Sequence, residues 1–383
     1  MMNASSSPTK GFVAIMPRCR RFVPLAALAL LAASPALPTA AGETKASSRS
    51  ASARLASATY AVEQSLTIKN LPAGAKKVRI WFWLPQEEDA ETHAQRVADL
   101  SVARAPDGYR ITRDAANGHR YLYAEVTNPL PGAETRLDTA FTVRRKAVSV
   151  ALDPEKSGPM TDGERAAFAR DLRRDVPWMP VDVRAARLAR QICKNETNPV
   201  RQARLLYDYV IDYAEHYSKG TTAPKSSNRG DAGYCLANGG GACTDLHALF
   251  SALARARGIP TRIHFGTRLT LQNENKPLDP GYRCWVTFYA PGHGWVPCDI
   301  AAGDTNPDKR DFYFGGLDER RILFSSGRDL DLVPRQDGPP VNLFIRAYVE
   351  VDGKPHADYE RVLRFVERRA AIIKAARLAE RKE

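Results

Sequence analysis

The chain has 383 residues, with 56 Lys and Arg against 43 Asp and Glu and 44% hydrophobic positions. That balance excludes a collagenous or wholly disordered polypeptide and leaves length for two or three separate cores. The net charge of +13 is spread along the chain, so it reads as a solvated basic surface; no nucleic-acid-binding motif accompanies it, and no nucleic-acid partner is expected.

Arg18-Cys-Arg-Arg21 precedes an apolar run from Leu25 to Ala33, which leads through Pro35 and Pro38 to Thr39-Ala-Ala41. This is the layout of a secretory signal over residues 1–41, cut near Ala41 and Gly42, and Met16 onward already forms a complete one. Periplasmic or secreted localisation follows as an expectation. No later stretch approaches the ~20 apolar residues that spanning a bilayer requires, so no integral membrane segment is expected after cleavage. Residues 42–58 are rich in Ser, Ala and Lys and read as a flexible linker.

From residue 59 to 152 the pattern is β. Tyr60 to Ile68, Val78 to Leu84, Tyr109 to Thr112, Tyr121 to Val126 and Thr139 to Val150 are rich in Val, Ile, Thr and aromatics, and Asn117-Gly118 marks a hairpin turn. Short strands at this spacing predict an N-terminal β-sandwich. The period then changes. Thr161-Asp-Gly-Glu164 is a capping box, Asp182 to Lys194 has helical spacing, and Asn198-Pro199 opens a helix with Val200, Ala203, Leu206, Tyr207, Val210, Ile211 and Ala214 on one stripe. Ser218 to Gly241 is loop, and Leu246, Leu249, Phe250 and Leu253 lay out a further helix ending at Gly258 and Pro260. Strands follow at Thr261 to Leu271, Cys284 to Ala290, Trp295 to Ile300 and Leu343 to Val351. The segment 351–383, with Val362, Phe365, Ala370 and Ile373 among Arg and Lys, reads as a basic helical tail.

The chemistry concentrates at Gly239-Gly-Gly-Ala-Cys-Thr-Asp245. A cysteine where a loop enters a helix faces unsatisfied N–H groups and the positive end of the helix dipole, which together stabilise a thiolate. The glycines give room for a substrate backbone, and the Cys243 N–H is available as an oxyanion donor. A buried helix-start cysteine with only a packing role has the same sequence signature. Five cysteines remain beyond the signal: Cys193, Cys235, Cys243, Cys284 and Cys298. In an exported protein an odd number leaves at least one without an intramolecular partner.

Further on, Gly281-Tyr-Arg-Cys-Trp285 and Pro291-Gly-His-Gly-Trp-Val-Pro-Cys-Asp299 form two strands around a turn. Together with Cys243-Thr-Asp245 and the helix end Ala254-Arg-Ala-Arg-Gly-Ile-Pro-Thr-Arg262, these segments resemble the bacterial transglutaminase-like proteins of the papain-like cysteine enzyme superfamily. The likeness covers roughly 198–304 and continues more weakly through Gly338-Pro-Pro and Tyr348-Val-Glu. It implies an α+β fold, with the N-terminal β-sandwich followed over 160–350 by a core in which a helical lobe packs on an antiparallel sheet. It also implies a Cys–His–Asp triad for acyl transfer or amide hydrolysis on a protein, peptide or peptidoglycan-type substrate, with no cofactor and no metal.

Cys243 and Asp299 match that triad, but the position of its histidine holds Arg283. A guanidinium stays protonated and has no acceptor, so it cannot take the thiol proton or return one to a leaving amine. Impaired Cys-dependent chemistry is therefore expected. The alternative is a non-catalytic module that holds a peptide or cell-wall fragment in the same cleft. His247 lies one helical turn after Cys243, on the same face, as a second base or as a core histidine; His216, His264 and His293 show no ligand spacing. Two geometric expectations follow: Arg283 pairs with Asp299, and Cys284 lies near Cys298 across the strands, where either a disulfide or, more in keeping with the strict geometry of cross-strand bridges, two separate buried thiols would result.

Overall fold

Alternation of period two turns Ser57–Ile68 into strand β1, with Tyr60, Val62, Gln64, Leu66 and Ile68 inward. The computed structural model describes residues 55–87, 91–220, 222–278 and 282–368, so the signal segment, most of the linker and residues 369–383 lie outside it. The expected linker end is two residues late, since β1 begins at Ser57. β2 (Lys77–Trp83), β3 (Gln95–Arg104), β4 (Arg110–Arg113), β5 (Arg120–Thr127), β6 (Thr135–Lys146) and β7 (Val148–Ser149) complete the N-terminal strands.

The helical region carries α1 (Asp162–Ala167), α2 (Val183–Cys193), α3 (Pro199–Tyr213), α4 (Ala232–Asn238) and α5 (Cys243–Ala256), with the short strands β8 (Glu215–His216) and β9 (Gly240–Gly241) between them. Thr161 and Glu164 form the capping box, and Asn198 accepts from the amides of Val200 and Arg201. β10 (Thr261–Arg268), β11 (Tyr282–Ala290), β12 (Gly294–Cys298), α6 (Ile300–Thr305), β13 (Gly316–Leu317) and β14 (Arg321–Ser326) follow. The chain closes with β15 (Ala347–Val351), β16 (Lys354–Pro355) and β17 (Tyr359–Glu367).

Three larger sheets result, in strand orders β17-β1-β6-β3, β16-β15-β2-β5-β4 and β12-β11-β10-β14, all antiparallel. Helix α5 is buried from Cys243 to Arg255 and packs on α2, α3, α4, β10 and β11. A helix buried all round is a central element, which explains why its sequence lacks a polar stripe. The architecture is α+β, with the helices around α5 set on the antiparallel sheet that carries β11 and β12.

Three readings of the sequence change. The segment from Tyr359 is strand through Glu367, not helix: Arg361, Leu363 and Phe365 alternate inward, and β17 pairs with β1 from Tyr60 opposite Glu367 to Ile68 opposite Tyr359. The Val362 and Phe365 spacing suited a helix, but an available β1 edge and a buried Arg361 lying 4.9 Å over the Trp83 ring select the strand. Secondly, the boundary near 152 separates chain segments without separating sheets, because β15 and β17 return to the N-terminal strands and all the described residues fall in one compact unit. Thirdly, Cys298 stands opposite Val286, two residues from Cys284, so the two cysteines do not face each other across the strands, and of the two alternatives the separate buried thiols hold; all five described cysteines are free thiols.

Candidate active site

Cys243 is the first residue of α5 and 4% exposed. Its amide belongs to the first turn, where no intrahelical carbonyl can reach. The turn is fixed from beneath by Asp245, whose carboxylate accepts from the amides of Ala242 at 2.8 Å, Asp231 at 2.8 Å and Ser227 at 3.1 Å. Gly240 and Gly241 have φ of +153° and +154°, and a Cβ there would meet the Glu215 carbonyl at 2.2 Å and the Asp245 carboxylate at 2.6 Å. The room expected for a substrate backbone is thus filled by the protein itself: the glycines let β8 pair in parallel with β9 and set His216 beside the thiol.

Cys243, Arg283 and Asp299 line one cavity of about 280 Å³, together with His216, Cys284, Arg268 and Arg321. Within it the partners differ from those expected. Asp299 does not pair with Arg283. Its carboxylate takes the Arg321 guanidinium at 3.0 Å and the Ala302 amide at 2.9 Å, capping α6, and lies 3.5 Å from His247 Nε2. Arg283 is exposed, and its guanidinium donates to the Tyr282 carbonyl at 3.0 Å. The physical reason is the strand period: residues 283 and 284 project to opposite faces of β11, and the buried position is Cys284. The side chain that β11 brings to the Cys243 sulfur is therefore Cys284, while Arg283 contributes charge from the rim.

The neighbouring Cys284 holds the Cys243 pKa well below the ordinary thiol value against the opposing effect of burial; His216, His247 and Arg283 add to the lowering. Cys284 moves the other way, raised by burial and by the neighbouring Cys243. Burial alone would raise Asp299 too, but Arg321 and the Ala302 amide hold it well below the usual carboxylate range. His216 Nδ1 accepts from the Ser218 amide at 3.3 Å and lies 2.7 Å from its hydroxyl, so the ring proton sits on Nε2 as a donor. His247 does not reach Cys243. Its Nε2 accepts from the Ile300 amide at 3.1 Å, which leaves Nδ1–H for the Cys284 sulfur, also at 3.1 Å.

The sequence reading missed His216 and Cys284. His216 carries no spacing signal because β8 brings it in through a parallel pairing with a three-glycine stretch. Cys284 was legible only as part of a strand motif. Among the described residues no group of three His, Cys, Asp or Glu side chains is arranged to hold a metal ion, and no helix is long and apolar enough to cross a membrane.

A cysteine at the start of a buried central helix, set against an antiparallel sheet that supplies a capped carboxylate, defines a cysteine-centred α+β protein. In comparison with known proteins, residues 186–300 match the sequence profile of the transglutaminase-like superfamily, a span that includes Cys243, Arg283 and Asp299. An uncharacterized protein of Haemophilus influenzae is 25% identical over 305 residues, 72% of this chain and 81% of that protein. The crystal structure of a provisionally described cysteine protease from Cytophaga hutchinsonii superimposes with a TM-score of 0.53 at 14% identity, over 82% of this chain and 91% of its own, and shares the fold.

Proposed function

We propose that this is an exported transglutaminase-like protein in which Cys243 attacks the carbonyl of a peptide or cell-wall peptide amide, and in which completion of the reaction is slow because Arg283 stands where the family places its histidine. The observation that carries the reading is the Cys243 sulfur at a helix start, receiving the Cys284 thiol and the His216 side chain in one cavity. Attack by the thiolate forms a C–S bond and pushes the carbonyl electrons onto oxygen, toward the Cys243 amide and the His216 Nε2–H. Collapse then expels the amine, which must gain a proton. None of the side chains at the sulfur is a ready acid. The His216 ring is a neutral donor, the guanidinium of Arg283 does not release its proton, and Cys284 is held as a thiol with a raised pKa. General acid–base help is worth ~10²–10⁴-fold, so amides should turn over poorly while activated esters, whose leaving groups need no proton, still acylate Cys243.

The export part of the proposal rests on the signal-like residues 1–41, outside the described structure. The test uses the purified protein with an activated ester and a glutamine-containing peptide. Acylation by the ester that is lost in Cys243→Ala, with amide turnover at or near background in wild type, is the expected outcome. Absence of acylation would leave the peptide-binding module as the better reading, because an exposed cationic Arg283 at the cavity rim suits a bound anionic group without any chemistry.

A further inference from the structure

We infer that Cys243 and Cys284 form an oxidant-responsive dithiol pair, in which a hydroperoxide converts the two thiols to a disulfide that closes the site reversibly; the inference rests on the thiolate reading of Cys243 above. Two observations carry it. Cys243 and Cys284 line the same cavity, and the His247 Nδ1–H donates to the Cys284 sulfur at 3.1 Å. The direction of His247 is fixed by the Ile300 amide on its other nitrogen. A donor chain thus runs from a backbone amide through an imidazole to the Cys284 thiol. Cys193, Cys235 and Cys298 are buried, do not line this cavity, and have pKa values raised first by that burial.

The chemistry balances without a further base. The Cys243 thiolate attacks one peroxide oxygen, an S–O bond forms, the O–O bond breaks, and the departing alkoxide or hydroxide takes a proton from solvent. The peroxide is reduced by two electrons and the sulfur is oxidised to a sulfenic acid. The Cys284 sulfur then attacks the Cys243 sulfur. The S–S bond forms as S–O breaks, and the Cys284 thiol proton leaves with the hydroxide as water. The His247 N–H stabilises negative charge on the Cys284 sulfur as that proton departs. A resolving thiol in the same cavity stops Cys243 short of the sulfinic acid, which a dithiol reductant cannot reverse. In an oxidising compartment this keeps the nucleophile recoverable.

The experiment treats the reduced full chain with hydrogen peroxide, alkylates all accessible thiols under denaturing conditions, and reads intact mass and the cross-linked peptide. The expected result is a loss of two alkylatable thiols and two hydrogens, a peptide pair joining 243 to 284, and full reversal by dithiothreitol. Cys284→Ser should raise sulfinic acid at Cys243 by roughly tenfold, while Cys298→Ser should leave the cross-link unchanged. A sulfinic acid on wild-type Cys243 with no 243–284 peptide, or a disulfide between other cysteines, overturns the pair. Iodoacetamide labelling of the reduced native protein separates the two levels. Fast Cys243 labelling without the cross-link removes only the redox pair, whereas Cys243 labelling no faster than Cys193 removes the thiolate reading and the pair with it.

Discussion

The larger polar cavity of the protein, about 610 Å³, and the smaller thiol cavity, about 280 Å³, each set a buried histidine near a carboxylate, yet their hydrogen-bond accounts differ. In the larger one, His264 lies between the Ser326 hydroxyl at 2.6 Å on Nδ1 and both the Thr287 hydroxyl at 2.9 Å and the Glu91 carboxylate at 3.0 Å on Nε2. A serine, a histidine and an acid in line have the look of a catalytic triad. However, the Ser326 amide is already given to His119 Nδ1 at 3.0 Å, and the Ser326 carbonyl accepts from Asn117. No amide of that residue is left for an oxyanion, and its hydroxyl lacks the helix-start field that activates Cys243. The larger cavity ties β10 and β14 to the β4–β5 turn and to Arg170 and Asp171, whereas the smaller one holds a nucleophile. Size alone points to the wrong one of the two.

The sharpest way to break this comparison is to remove the sulfur. Cys243→Ala should abolish site-specific alkylation and any acylation by activated esters, whereas Ser326→Ala should change neither. Labelling should also show the thiolate directly. Because the Cys243 pKa is lowered by Cys284, and by His216, His247 and Arg283 against burial, its alkylation rate should fall less steeply than that of an ordinary thiol as pH drops from 8 to 6. An ordinary thiol, with a pKa of ~8.5, loses about tenfold per unit over the same window. A tenfold-per-unit fall at Cys243 would remove the electrostatic distinction between the cavities.

A second measurement sharpens it. Arg283→His should raise amide turnover by ~10²–10³-fold over wild type, within the range general acid–base groups supply. The gain is set below the upper limit because Asp299, which would orient the new ring, is already engaged by Arg321 and sits near His247. Loss of that gain in the Arg283→His, Cys243→Ala double variant would assign it to the thiol. No gain on amides, with ester acylation intact, would mean that a side chain at 283 projects away from the reacting atoms.

How much of this was legible in the sequence follows the same division. Local signals were readable: the Thr161–Glu164 box, the Asn198 cap and the helix start at Cys243 are each written in adjacent residues. The family resemblance put Cys243, position 283 and Asp299 in one region, and all three line one cavity. What the sequence hid was long-range. The partner of Asp299 is Arg321, on a strand 22 residues away, and the choice between Arg283 and Cys284 at the sulfur turns on strand phase, where a shift of one residue exchanges faces. The C-terminal strand was hidden for a related reason. Its apolar residues fit two periods, and the unpaired edge of β1 decided between them.

The larger cavity should answer to acid. Burial would raise the Glu91 pKa, but His264, Arg262 and the Thr287 hydroxyl bring it down from 4.5 to about 2. A carboxylate depressed in the folded state stabilises it fully above the unfolded value and loses that contribution as pH falls through the folded one, here between about 4.5 and 2. The shift corresponds to about 3 kcal/mol. Urea unfolding of wild type should therefore show stability falling across that window, and Glu91→Gln should flatten the fall while leaving Cys243 alkylation unchanged. A Glu91→Gln protein with the same acid profile as wild type would detach Glu91 from the stability of this region.

The smallest expected effect is also the one that tests the comparison at its closest point. Ser326→Ala removes the hydroxyl from His264 Nδ1 but keeps the Thr287 and Glu91 contacts on Nε2. A buried hydrogen bond removed from one side costs about 1–3 kcal/mol, because the partner nitrogen is left unsatisfied. If the larger cavity is structural, that is the whole consequence: a lower midpoint of urea unfolding with an unchanged slope, and no change in ester acylation or in peroxide sensitivity. Residual hydrolysis by Cys243→Ala that disappears on adding Ser326→Ala would overturn the assignment, since it would make Ser326 a second nucleophile despite its committed amide.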